Sequence, residues 1–441
     1  MKTMERSIFK GTTALILFLT ISLASLSAAQ VQKTFTWKYP VNRETNLSFE
    51  NYNCDLVIHV WDKSETEYHL TVEATGKTSD DEARLLKYLE NYNFEHSGSA
   101  VSFSSTFWKN RRSINGKTTL EIDGEKDIDL TEFNVKAELW VPAGNALVVD
   151  SKYSRIDLES FGGKLRLDLY NDKLYGGSLT NTCEISAKYS NFEFKDLKEL
   201  NADLYNCDFE AANTGYLTIV SKYSKVNAKS TGKLDIDSYN DKFSFENTGE
   251  INFRAKYSDL KTTSSGTMTI DCYNGSIITG IVDKIEIASK YAEIKVDKAN
   301  EIDALSSYND KFTIGKVSIL KIDESKYTGF RADELSTSLT ESDGFNDNFD
   351  IKRTGAGFKG LEVSGKYIGI SLGIPLSTDF RLKAAIMYPE LDINESAYKV
   401  RIKTLENSDL QFEGVRGTEK ADLPLVDIKG YQIKLKISDI K

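Results

Sequence analysis

The sequence predicts an all-β fold: a single-stranded parallel β-helix solenoid with 17-residue rungs and a small α+β N-terminal insertion acting as cap. Three observations predict it. Small or apolar residues recur every 17 positions from Ala187 to Ser306. Within each repeat, apolar and polar residues alternate. The chain is rich in Tyr and Phe (22 each) and holds only 5 Pro. Alternation at a period of two marks strands with one face inward. Tyr and Phe suit strands, and scarce Pro suits unbroken ladders.

Residues 1–29 read as a signal peptide. Lys2, Arg6 and Lys10 form a basic start, 13–26 an apolar stretch, and Ser27, Ala28 and Ala29 a small-residue cleavage site before Gln30. The apolar stretch is short for a membrane span. No Cys follows it to take a lipid anchor. The mature chain is therefore expected outside the cytoplasm, periplasmic or at the cell surface. Its formal charge, −10 for the whole chain, becomes −12 once three bases and one acid are removed. Such an acidic chain repels phosphate backbones, so nucleic acid is a poor partner.

Residues 30–145 hold one early rung, Leu47 through Ile58, followed by an insertion. Within it, 80–92 reads as a helix with acids in its first turn and Ser79 or Asp80 as N-cap. Strands are expected at 68–74, 100–106 and 135–141. All three His and all four Trp precede residue 141. A solenoid must cover its open end, and this insertion is the candidate cap.

Residues 146–396 form the solenoid. Its anchor column is Ala187, Leu204, Ser221, Ser238, Ala255, Cys272, Ser289 and Ser306, with Ser151, Leu169 and Ser325 extending it at spacings near 18. Apolar columns stand four before the anchor (Leu200, Leu217, Leu234, Ile251) and five after it (Phe192, Phe209, Val226, Phe243). Eleven after it come Lys198, Gly215, Gly232, Gly249, Gly266, Asp283 and Asn300. Gly, Asn and Asp tolerate positive φ, so this column reads as the turn that closes each coil. The crossover rule favours a right-handed coil. The stretch 333–359 loses the count and reads as a loop or irregular rung. The pattern returns from Leu361 to Leu372 and from Leu382 to Ile393, and 397–441 reads as C-terminal strands that cap the far end.

Taken together, the signal peptide, the early rung, the strand-helix-strand insertion and the Trp140-Val141-Pro142 strand leading into stacked rungs resemble the putative adhesin β-helix proteins common in Bacteroidota, close to the auto-transporter adhesin head domain. The resemblance covers most of the mature chain. Those relatives carry Gly at the turn where this chain has Tyr. The resemblance implies the fold; for function it implies no more than a binding label, since fold does not fix activity.

One residue past the anchor the column alternates: Lys188, Tyr205, Lys222, Tyr239, Lys256, Tyr273, Lys290. The next alternates in antiphase: Tyr189, Asn206, Tyr223, Asn240, Tyr257, Asn274, Tyr291. The first column should point outward, each Lys lying between two Tyr at cation–π range. Such a stripe could stack sugars and bond their hydroxyls; the plainer reading is that it stabilises the turn and separates like charges. The segment 107–112, with Trp108 and Arg111, is the one basic aromatic patch, either a partner-binding loop or a solvated hairpin tip.

Other chemistry finds less footing. Asp168, Asp203, Asp237 and Asp271 recur one residue before the anchor, about 9.6 Å apart, near an inverting glycosidase's carboxylate separation. An active site normally breaks a repeat, whereas this column continues. No triad pattern, zinc spacing or complete calcium loop is present; the nearest to the last is 343–350. No cofactor, metal site or catalytic residue is expected. Cys183 and Cys272 fall in inward columns five rungs apart, and Cys54 and Cys207 share a column but not neighbouring rungs, so four free thiols are expected. The leading hypothesis is a non-enzymatic binding or structural protein of the cell envelope whose partner is a glycan or an envelope protein. The alternatives are a polysaccharide lyase or hydrolase, and a periplasmic sensor or assembly partner.

Overall fold

The computed structural model of the chain describes residues 30–441; the signal peptide expected at 1–29 lies outside them. Parallel strands stack into a β-solenoid of about 13 turns. The regular rungs are 15-residue strands such as Asp208–Lys222, Lys225–Tyr239 and Lys242–Lys256, each joined to the next by a two-residue corner. One rung shows why 17 residues close a coil. Its buried positions are Cys207, Phe209, Ala211, Thr214, Leu217, Ile219 and Ser221, and the next rung starts at Ser224. Inward residues are two apart along a straight face, where side chains alternate. They are three apart at each of three bends. Four steps of two and three steps of three make the repeat.

Register holds between rungs: Phe209 pairs with Val226, Val226 with Phe243, Phe243 with Leu260, and Leu260 with Ile277. The interior is therefore a set of stacked apolar columns. Among the described residues no helix is long and apolar enough to cross a membrane.

The glycine column lies at one of the three bends, between inward positions such as Thr214 and Leu217, but it is not the left-handed turn its composition suggests. Gly215, Gly232, Gly249 and Gly266 do not adopt positive φ. The left-handed residues are instead Tyr189, Asn206, Tyr223, Asn240, Tyr257, Asn274 and Tyr291, with φ between 54° and 61°. The glycines answer to a different constraint, close approach. A Cβ on Gly249 would lie 2.2 Å from the carbonyl oxygen of Gly232, and one on Gly215 2.5 Å from that of Lys198.

Three further expectations are corrected. Ser289 pairs with Ser307, not Ser306, because Leu305 bulges out as an extra residue between Ala304 and the resumed ladder. The stretch 333–359 is mostly regular: Gly329–Phe345 and Asn348–Ile351 pair in parallel with their neighbours, and only 352–359 leaves the strands. The helix spans Ser79–Glu90, capped by Thr78 rather than Ser79 or Asp80, with Thr78 and Asp81 forming a reciprocal capping box.

Both ends depart from chain order. Asn46–Tyr52 and Asp55–Trp61 stack on Leu147–Lys152 and Arg155–Leu158, so the first rung meets a partner about a hundred residues away. Ala100–Ser104 and Ile128–Pro142 cover its other side in parallel. Antiparallel strands Glu65–Gly76 and Val31–Pro40 complete the cap, over a core of Tyr68, Leu85, Leu89 and Phe94.

At the far end, the strands expected only to cap lie partly inside the stack. Leu425–Tyr431 and Lys434–Ile440 form a rung between the one at Gly360–Pro375 and the one at Phe380–Asp392. The hairpin of Tyr398–Glu406 and Asp409–Arg416 then pairs antiparallel with Phe380–Met387.

Candidate functional site

The corner of every rung builds one continuous surface feature. At each corner one of two adjacent positions carries an aromatic ring, and the choice alternates. Lys-Tyr rungs put the ring on the left-handed residue, and Tyr-Asn rungs put it one residue earlier. The result is a ladder running Tyr52, Tyr153, Tyr170, Tyr189, Tyr205, Tyr223, Tyr239, Tyr257, Tyr273, Tyr291, Tyr308, Tyr327, Phe345, Tyr367, Tyr431 and Tyr388. Neighbouring centroids are 5.3–5.9 Å apart and ring planes cross at 72–83°. Edge-to-face contact is favoured by the ring quadrupole. Twelve of the tyrosines are 37–51% exposed.

Rings stacked in one column would meet face to face at the rung spacing. Alternating between columns lets each edge meet a face. The cost is backbone strain: Tyr at positive φ is an outlier for a bulky residue, worth roughly 1–2 kcal/mol. Asn, which tolerates that region, takes the position wherever the ring is elsewhere. Each edge-to-face pair contributes about 0.5–1.5 kcal/mol beyond its buried area. A ring with two neighbours thus roughly offsets its strain.

Lys188, Lys222, Lys256 and Lys290 are exposed on this edge, in one column with Tyr205, Tyr239 and Tyr273. The tyrosines turn to each other rather than to the lysines. Among the described residues the cations over rings are Lys33, Lys63, Arg111, Arg155 and Arg416, so the expected Lys–Tyr stacking is replaced by Tyr–Tyr contact. Asp168, Asp203, Asp237 and Asp271 are exposed beside this edge. A groove of about 310 Å³ between Tyr239 and Tyr273 is lined by Lys256, Asp237, Arg254 and Asp271.

Trp108 and Arg111 are not part of this surface. Trp108 is 8% exposed and packs on Phe107 and Phe133 in the cap. The Arg111 guanidinium stacks on Trp108 and Phe133, at 5.8 and 5.0 Å. The 107–112 segment is cap core and strand, and the hairpin tip lies beyond it at Asn115 and Gly116, both at positive φ.

The inner side of the corner carries chemistry that the sequence reading missed. In most rungs the residue after the left-handed one is a Ser, Asp, Cys or Thr; Gly275, Ala292, Ile368, Pro389 and Ile433 take that place at the other corners. Asp310 accepts from Ser289 Oγ (2.8 Å), Ser307 Oγ (2.6 Å), and the amides of Ala292 (2.7 Å) and Tyr308 (3.1 Å). Asp241 is held the same way by Ser221, Ser238, Ser224 and Tyr239. Asp172 accepts from the Ser154 and Tyr170 amides and Ser151 Oγ, yet burial pushes it up to about 6. The signal lay in the Tyr-Asn-Asp triplets: after a left-handed Asn, an Asp can reach back to the amide two residues earlier.

The segment 343–350 is one of these corners. Asn346 is left-handed, and buried Asp347 accepts from Thr328 N, Phe345 N and Ser325 Oγ. Glu341 stands in an inward column between Ile322 and Val363, 3% exposed, with Ser325 Oγ 2.6 Å from its Oε1. Burial, reinforced by Asp347 and Asp343, pushes it up to about 8. Ser325 has one hydrogen for two carboxyls. A protonated Glu341 donating from Oε1 to Ser325, which donates to Asp347, resolves that count and leaves Glu341 Oε2 buried without a partner. Among the described residues no three His, Cys, Asp or Glu side chains converge as metal ligands would.

The cap carries two further surface features. A groove of about 590 Å³ between residues 92–95 and the first rungs is lined by Glu50, Glu95, Asp150, Ser48, Ser102 and Tyr92. On another face, His59 and His69 lie on Trp140, bonded to Glu159 (3.0 Å) and Glu67 (2.6 Å). All four cysteines are free and buried.

No protein-family model and no curated protein matches the chain. Among solved structures it is similar to a "putative cell adhesion protein" from Clostridium sporogenes, with 7% identity, 92% of this chain and 100% of that one covered, and a TM-score of 0.15. At that TM-score the likeness carries no argument about function, and the adhesin resemblance stands on the residues that suggest it.

Proposed function

We propose that the chain is an exported, non-catalytic binding rod of the cell envelope, adhesin-like in role, that holds its partner along the tyrosine edge. The observation that supports this reading is the ladder itself: fifteen edge-to-face contacts link sixteen rings into one exposed line along the rod. Contiguous exposed aromatic surface marks interaction sites, and aromatic rings next to cations serve glycan and protein partners alike. A stacked solenoid is stiff along its axis, which suits a spacer that presents many equivalent contacts. The signal-peptide pattern and the resemblance to Bacteroidota adhesin-type β-helices agree with export.

The test is a triple variant, Tyr205→Ser, Tyr239→Ser and Tyr273→Ser, in the column with ordinary backbone. Wild type should be retained on isolated envelopes or on a glycan array, and the variant should lose that retention while keeping its strand circular dichroism. Equal retention of both, or none by wild type, overturns the reading. Protease treatment of intact and of permeabilised cells then separates surface from periplasm.

A further inference from the structure

The edge has a period of two rungs, not one, and that period narrows the ligand class. Lys222, Lys256 and Lys290 occupy one column on alternate rungs, and Tyr239 and Tyr273 fill it between them. Two rungs span about 9.6 Å. These three lysines make no ion pair among the described residues, whereas Lys152 further along the column pairs with Asp150, and lysines on other faces pair as well: Lys233 with Glu250, Lys284 with Glu286, Lys321 with Glu301. The rungs that carry tyrosine in this column also carry an exposed Asp, as at Asp237 beside Tyr239. The edge thus offers a ring on every rung, and in this column an unpaired ammonium alternates with a tyrosine flanked by a carboxylate, from Lys222 to Lys290.

Building on the binding role proposed above, we infer that the edge binds an extended, β-linked linear glycan of alternating acidic and neutral sugars, laid parallel to the rod axis. One sugar of such a chain is about as long as a rung is thick, so its disaccharide repeat keeps step with the two-rung period. Each acidic sugar meets a lysine. Each neutral sugar meets a ring and a carboxylate that accepts its hydroxyls. A coiled α-linked glycan falls out of step within a few sugars. A peptide strand, advancing about 3.3 Å per residue, would need an acid at every third position to match.

The experiment is calorimetric titration of the mature chain with β-linked uronic acid–N-acetylhexosamine oligosaccharides of four to ten sugars, beside α-linked gluco-oligosaccharides of the same lengths. Affinity for the first series should tighten about two- to fivefold per added disaccharide, the factor one exposed cation or ring contact supplies. The α-linked series should show no such gain. The variant Lys222→Gln, Lys256→Gln, Lys290→Gln, changed only at exposed positions, should lose the length dependence. Affinity that is flat with length, equal in both series, or unchanged in the lysine variant overturns the inference. If that happens while the tyrosine variant still loses envelope retention, the binding edge stands and only its ligand is wrong. If wild type binds neither oligosaccharides nor envelopes, both readings fall.

Discussion

The ring of Tyr239 meets the ring of Tyr257 edge to face, 5.5 Å between centroids and 75° between planes, although the two residues occupy different columns of successive rungs. Tyr257 is left-handed (φ 59°) and Tyr239 is not. The two should therefore answer differently to substitution. Tyr239→Ala loses two ring contacts and relieves no strain, so it should destabilise by about 1–3 kcal/mol. Tyr257→Asn also loses two ring contacts, with Tyr239 and Tyr273, but relieves the strained backbone, so it should stay within about 1 kcal/mol of wild type. Amide exchange in the flanking rungs reads the difference, since a stacked array need not unfold in one step. Equal losses would show that the ladder carries no compensation for strain.

A second prediction concerns the glycine column. Gly249→Ala places a Cβ 2.2 Å from a backbone oxygen, which cannot rotate away, and should cost about 2 kcal/mol or more. Gly329→Ala places one in open space at an ordinary φ and should be neutral or slightly stabilising, within about 1 kcal/mol. Thermal midpoints of the two variants provide the check.

These two cases also show what the sequence carries and what it does not. The inward columns through Leu217 and Ile219 are legible because alternation belongs to the local chain. Whether Gly232 serves a turn or a close contact depends on the rung above it, which no local pattern records. The left-handed Tyr223 runs against propensity and is explained only by rings it meets in space. Val426 and Ile428 read as a strand, but their place between Leu361 and Leu382 is a long-range pairing without local signature. Trp108 and Arg111 read as a surface patch because their partner Phe133 lies beyond the hairpin.

That long-range pairing makes a third prediction. Removing residues 418–441 deletes a rung from within the stack, leaving Gly360–Lys366 and Phe380–Met387 with open parallel edges. Open edges pair with other chains. The truncated protein should elute as aggregate and lose protease resistance around 360–416, whereas a tail that only covered the end would leave the rungs resistant.

The thiols supply a fourth. Burial pushes Cys54 and Cys272 up to about 12 and Cys183 higher. Reaction requires the thiolate and access to it. Native protein at neutral pH should not react with a thiol reagent, and all four cysteines should react once it is unfolded in urea. Rapid reaction of one native thiol would place that column on the surface and break the register.

The last prediction is a pH dependence set by Glu341. Its carboxyl is held up at about 8 by burial, against an unfolded value of about 4.3. A group raised on folding contributes stability that is complete below its unfolded pKa and is lost as pH rises through the folded one. Wild type should therefore lose stability between about pH 4 and 8, on the order of 5 kcal/mol from this residue. Glu341→Gln keeps the shape beside Gly344, where a Cβ would collide with the carboxyl, and cannot ionise. Its denaturation midpoint should be flatter across that window and exceed wild type at pH 9. Asp172, raised to about 6, adds a smaller loss with the same sign between about pH 4 and 6. Parallel profiles for wild type and Glu341→Gln would mean that Glu341 reaches water, and the hydrogen-bond chain through Ser325 to Asp347 would have to be abandoned.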